Sequence, residues 1–131
     1  MRRTLQLTAL ATCAFGVALI GIATANGLGA TKDGVITTEQ VARGKAVYEQ
    51  SCKNCHQADF YRERLARWEN KSVEALFEAV STTMPADNVG SLATSEYLDV
   101  LAYVFSITGA PTGSTELTAD NMGAVKVSAP K

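Results

Sequence analysis

The sequence predicts an all-α fold of three or more short helices. Three observations lead there. Helix-capping residues stand before runs whose apolar residues recur at helical spacing: Thr37 before 38–52, Ser72 before 73–82, and Thr94 or Ser95 before 96–107. No strand–helix–strand pattern is visible. Finally, Cys52-Lys53-Asn54-Cys55-His56 closes the first of these runs, and a helical turn brings residues at i, i+3 and i+4 to one face.

Taken in order, the 131-residue chain opens on Met1-Arg2-Arg3, and residues 4–31 carry no charge. The most apolar part is 13–23, followed by Ala23-Thr24-Ala25, a small-x-small site. Residues 1–25 read as a secretory signal peptide cut after Ala25, which puts the mature chain in the periplasm. Two other readings stand beside it. Residues 5–25 are long enough for an uncleaved membrane anchor, which needs about 20 mostly apolar residues, although Gln6, Thr8, Thr12 and Thr24 dilute the run. Cys13 after Leu10-Ala11-Thr12 loosely resembles a lipidation box, against which Thr12 and the continuing apolar run both count. Cleavage after Ala25 removes Arg2 and Arg3 and leaves ten basic side chains against thirteen acidic ones, a formal charge of −3. That balance lacks the basic stripe of a nucleic-acid binder.

Residues 26–36 are Gly-rich and polar and read as a linker to a domain at 37–110. Thr37-Thr38-Glu39-Gln40 reads as a capping box, with Val41, Gly44, Val47, Tyr48 and Cys52 on the inner face of the helix and Arg43, Glu49 and Gln50 facing water. Gly44 costs up to about 1 kcal/mol relative to alanine inside a helix, so the close approach of another helix is expected there. Residues 57–70 are polar with scattered aromatics and read as an irregular loop with some helical turns. The next helix turns Leu76, Phe77 and Val80 inward. Pro85 cannot continue a helix and biases Met84 to an extended conformation, so 84–93 is a loop. The last helix has little polar face and is buried on most sides, ending at Gly109 and Pro111. Residues 111–131 form a polar tail on which no structure is forced, apart from a short extended piece at 124–127.

The Cys-x-x-Cys-His motif is the pattern by which a c-type haem is attached. Two thiols on one face form thioethers with two vinyl groups of one porphyrin, and the imidazole of His56 then lies beneath the iron. Lys53 and Asn54 point elsewhere. A thioredoxin-like dithiol would sit in a βαβ pattern, which is absent. Structural zinc needs four ligands, and with Cys13 in the leader only three remain. The other axial position cannot be a histidine, because His56 is the only one. Met84 stands on a loop between two helices and is favoured over Met122 in the tail, with a lysine or an open site as the remaining choices. Trp68 is a candidate to donate its indole N–H to a haem propionate, and Arg62, Arg64 and Arg67 to pair with one. No paired-carboxylate, phosphate-loop or nucleophile–base signature points to an enzyme.

Gly44-Lys45-x-x-Tyr48, the 52–56 motif, Met84-Pro85 and a last helix with Tyr97 and Tyr103 resemble the class I cytochrome c family. Residues 64–68, 84–92 and 97–103 are similar to small bacterial periplasmic monohaem cytochromes, some of which are associated with quinoprotein dehydrogenases. The resemblance spans about 37–111. It implies short helices wrapped around one covalent haem c, thioethers at Cys52 and Cys55, axial ligands at His56 and Met84, and a helix crossing at Gly44 and Tyr48. The chain departs from the family in having no proline between His56 and Met84, so another carbonyl is expected to hold the imidazole N–H. Val89 replaces a proline common in related loops. The function implied is one-electron transfer from a periplasmic dehydrogenase towards an oxidase or another cytochrome. The rival is a haem sensor or small-ligand binder with a labile distal site.

Overall fold

Where caps and apolar spacing meet, helices form: α1 (Thr38–Ser51), α2 (Ala58–Ala66), α3 (Val73–Ser81) and α4 (Thr94–Ile107). The computed structural model describes residues 28–130, so the expectations for residues 1–25, Cys13 among them, lie outside the described residues. Among the described residues the architecture is all-helical with no strand, and no helix is long and apolar enough to cross a membrane.

The hydroxyl of Thr37 accepts the Gln40 N–H at 3.1 Å, and that of Ser72 accepts the Ala75 N–H at 3.2 Å. The return half of the expected capping box is absent, because the Gln40 side chain is turned to the chain near the C-terminus. α4 starts earlier than expected. Ala93 is its N-cap and has no side-chain oxygen, but the Glu96 carboxylate takes the exposed Ala93 N–H at 2.7 Å. A carboxylate in the first turn also suits the positive end of the helix.

α1 and α4 pack together at Gly44. A Cβ placed on this residue would overlap the main-chain carbonyl of Asp99 and stand 3.0 Å from the Cβ of Tyr103. The glycine therefore lets the two backbones touch, as its position on the apolar face implies. Beside the crossing, Arg43 forks onto Asp99 at 2.9 and 3.0 Å and also pairs with Glu116, so this arginine bridges elements rather than simply facing water. α4 forms the centre of the core: Leu98, Val100, Leu101, Ala102, Val104 and Phe105 are all buried.

Three expectations are corrected. Residues 58–66 are a helix rather than an irregular loop. Phe60, Tyr61, Leu65 and Trp68 recur at helical spacing, with Leu65 buried and Trp68 half-buried. The segment read as a linker contributes buried Val35 and Ile36, and the segment read as an unstructured tail contributes buried Leu117, Val125 and Val127. Main-chain pairing makes this burial affordable for polar backbone. Thr31 N–H donates to Lys126 at 2.8 Å, Val73 N–H to Val125 at 2.9 Å, and Val127 N–H to Lys71 at 2.9 Å. The expected extended piece at 124–127 is therefore present, as single bridges from Lys126 to Ala30 and Ser72. The Gln40 amide closes the arrangement by donating to the Leu117 carbonyl at 2.8 Å and accepting its N–H at 3.0 Å.

Candidate functional site

The chain after α1 continues for one more helical turn. Cys55 N–H and His56 N–H both donate to the Cys52 carbonyl, at 3.2 and 3.0 Å. Cys52, Cys55 and His56 border one cleft of about 810 Å3, and Met84 and Trp68 border the same cleft. This volume lies within the roughly 300–1,000 Å3 of small-molecule and cofactor sites. Asn54 also borders it, contrary to expectation, whereas Lys53 does not. Both cysteines are free thiols, Cys52 half-buried and Cys55 exposed. Burial pushes the Cys52 thiol up, keeping it protonated.

The walls are mostly apolar. Leu65 from α2, Leu76 and Val80 from α3, and Val100, Leu101 and Val104 from α4 line the cleft. Phe60 lies 4.3 Å from the His56 ring, centroid to centroid, and Tyr61 6.0 Å. Arg64 lies over the Phe60 ring at 4.2 Å and borders the cleft, as does Trp68, whose ring carries the Lys71 ammonium at 4.7 Å. Tyr48 joins Tyr61 and Tyr103 in an aromatic cluster, with ring centroids 6.1 Å apart for Tyr48 and Tyr61 and 5.0 Å for Tyr48 and Tyr103. Burial raises the Tyr61 phenol far above its ordinary value and raises Tyr48 to a lesser degree.

His56 and Met84 are each held through the backbone. The Tyr48 hydroxyl donates to the His56 carbonyl, and the Tyr97 hydroxyl to the Met84 carbonyl at 2.6 Å. Met84 N–H donates to Val80 at 2.8 Å, and the Met84–Pro85 peptide is cis. The Nδ1 atom of His56 is buried and has no hydrogen-bond partner, so the carbonyl expected to hold it is not found. Met122 is held after all, half-buried against the core with its carbonyl accepting the Glu74 N–H at 3.2 Å. It is not among the residues bordering the cleft.

The two tyrosine hydroxyls escaped the reading of the sequence, which assigned both rings to packing. A tyrosine where phenylalanine would pack as well is the available signal, since a buried hydroxyl needs a partner. Chemically, the cleft offers two thiols, an imidazole and a thioether to an apolar guest. Among the described residues no three His, Cys, Asp or Glu side chains are grouped to hold a metal ion by themselves. Comparison with protein-family models, curated proteins and solved structures returned no match.

Proposed function

We propose that the chain is a small periplasmic c-type cytochrome of class I, a one-electron carrier with one covalent haem c ligated by His56 and Met84. The observation that carries this reading is the shared cleft: both thiols of the Cys-x-x-Cys-His motif, its imidazole and Met84 border one apolar space of cofactor size. The same cleft is walled mainly by aliphatic side chains of α2, α3 and α4, which suits the apolar faces of a porphyrin.

A haem bound there supplies reversible one-electron chemistry. The protein's part is to bind and tune. Cys52 and Cys55 would hold the porphyrin through thioethers, and His56 and Met84 would ligate its iron, a pairing that raises the reduction potential. The aliphatic side chains of α3 and α4 exclude water. Trp68 and Arg64 border the cleft with hydrogen-bond donors suited to propionate carboxylates. With His56 and Met84 both serving as ligands, the iron would be closed to a substrate, so the proposed role is that of a carrier and not of an enzyme. Its donor is a periplasmic dehydrogenase, of the quinoprotein type by resemblance, and its acceptor an oxidase or another cytochrome.

The test is an intact mass under denaturing conditions with a visible and near-infrared spectrum of the oxidised protein. One haem retained by the polypeptide and a sulfur–iron charge-transfer band support the reading. Met84→Ala should abolish the band and open ferrous iron to carbon monoxide, and Met122→Ala should do neither. A colourless protein sinks the reading. Rapid carbon monoxide binding by the wild type would instead favour the sensor.

A further inference from the structure

Two buried phenols reach backbone carbonyls at the two ends of the proposed ligand set. Tyr48 on α1 is 5 % exposed and donates to the His56 carbonyl. Tyr97 on α4 is 4 % exposed and donates to the Met84 carbonyl at 2.6 Å. Phenylalanine would fill either position equally well, so the hydroxyls contribute something other than volume. The helices that carry them touch backbone to backbone at Gly44 and Asp99, which fixes their separation. Tyr48 also packs on Tyr103 of α4, and Phe77 of α3 meets the Tyr97 ring edge-on at 6.0 Å.

The loop that follows Met84 has few other restraints. Residues 86–91 are exposed, and within it Asn88 N–H donates to Pro85 at 3.0 Å and Gly90 N–H to Met84 at 3.4 Å. The His56 turn is secured twice to the Cys52 carbonyl, by Cys55 N–H and His56 N–H, whereas Met84 has one such bond of its own, to Val80 at 2.8 Å.

We infer that Tyr48 and Tyr97 are positioning residues, through which the α1–α4 crossing holds the backbones of His56 and Met84 and governs how firmly Met84 stays on the metal. The inference rests on the haem reading above. Losing one hydrogen bond of ordinary net strength changes a local opening equilibrium about fivefold. Tyr97→Phe should therefore raise the rate at which carbon monoxide enters the ferrous holoprotein by about that factor. Tyr48→Phe should raise it less, because it loosens the His56 side and not the ligand that carbon monoxide displaces. Hydrogen exchange should accelerate across 84–92 in Tyr97→Phe while that of α4 is unchanged.

The experiment compares carbon monoxide binding by holoprotein of wild type, Tyr97→Phe, Tyr48→Phe, Met84→Ala and Leu117→Ala. The last loses core packing from a residue that does not border the cleft, and should leave the rate as it is. A wild type that binds slowly and a Met84→Ala that binds fast, with Tyr97→Phe at the wild-type rate, overturns the clamp alone. So does an equal acceleration in Leu117→Ala, which would make the effect one of general stability. A Met84→Ala that matches wild type overturns the ligand assignment and the clamp with it.

Discussion

Replacing Gly44 with alanine sets helix propensity against packing. In an isolated helix the change is favourable by about 0.8–1 kcal/mol. Here the new methyl would overlap the carbonyl of Asp99 and crowd the Cβ of Tyr103. The carbonyl is main chain and cannot rotate away, so α1 and α4 must separate. α4 is buried along most of its length, and moving it opens space around Leu98, Leu101 and Phe105. Overpacking of this kind costs typically about 1–3 kcal/mol. Because the obstacle is backbone, the upper part of that range applies, and the net loss after the propensity gain is about 1–2 kcal/mol. Gly44→Val adds two more methyl groups and should lose about 1–3 kcal/mol or more. With a urea m-value of about 1–2 kcal/mol per molar, Gly44→Ala should lower the denaturation midpoint by about 1 M. Urea denaturation of the purified holoprotein measures this, and an unchanged m-value confirms that the same structure is unfolding. A midpoint equal to or above that of wild type would show that the close crossing is not what the glycine is for.

Arg43→Ala strips the fork from Asp99, whose side chain is only 10 % exposed, while Arg43 itself is half-exposed and screened. The expected loss is about 1–2 kcal/mol by urea denaturation, and Arg43→Lys should recover only part of it, since an ammonium lacks the planar fork. Gln40→Ala leaves both main-chain groups of Leu117 without their partner and should cost about 2–4 kcal/mol. Ending the chain at Pro111 removes Leu117, Val125 and Val127 together, and calorimetry should then show no cooperative transition. Burial raises the phenols of Tyr48 and Tyr61, so the folded state keeps protons that the unfolded state gives up near pH 10. Their contribution is whole below about pH 10 and is lost as pH rises through the folded values. Urea midpoints at pH 8 and pH 10.5 should fall further in wild type than in Tyr61→Phe, and equal falls would refute the assignment.

Helices α1, α3 and α4 were legible in the sequence because their determinants are local. A cap bonds three residues away, an apolar stripe repeats every three or four, and Pro85 or Gly109 stops the run. The turn that brings Cys52, Cys55 and His56 to one cleft is local for the same reason, and Gly44 announced itself as a misfit on an apolar helix face. α2 is harder to see because Asp59, Arg62, Glu63 and Arg64 interrupt its short apolar spacing and no side chain caps its start. Only the tertiary structure decided the rest. Val35, Ile36, Leu117, Val125 and Val127 stand in polar surroundings with no helical period, and their burial depends on main-chain bonds to residues far along the chain. The same holds for the Gln40 amide, whose local role as a cap lost to a partner 77 residues away. The hydroxyls of Tyr48 and Tyr97 are visible as residues, but their acceptors depend on how α1, α4 and the Met84 loop are brought together. Sequence patterns report interactions within a few residues. Which groups meet across the core, and what space they leave between them, follows from the packing of all the elements at once.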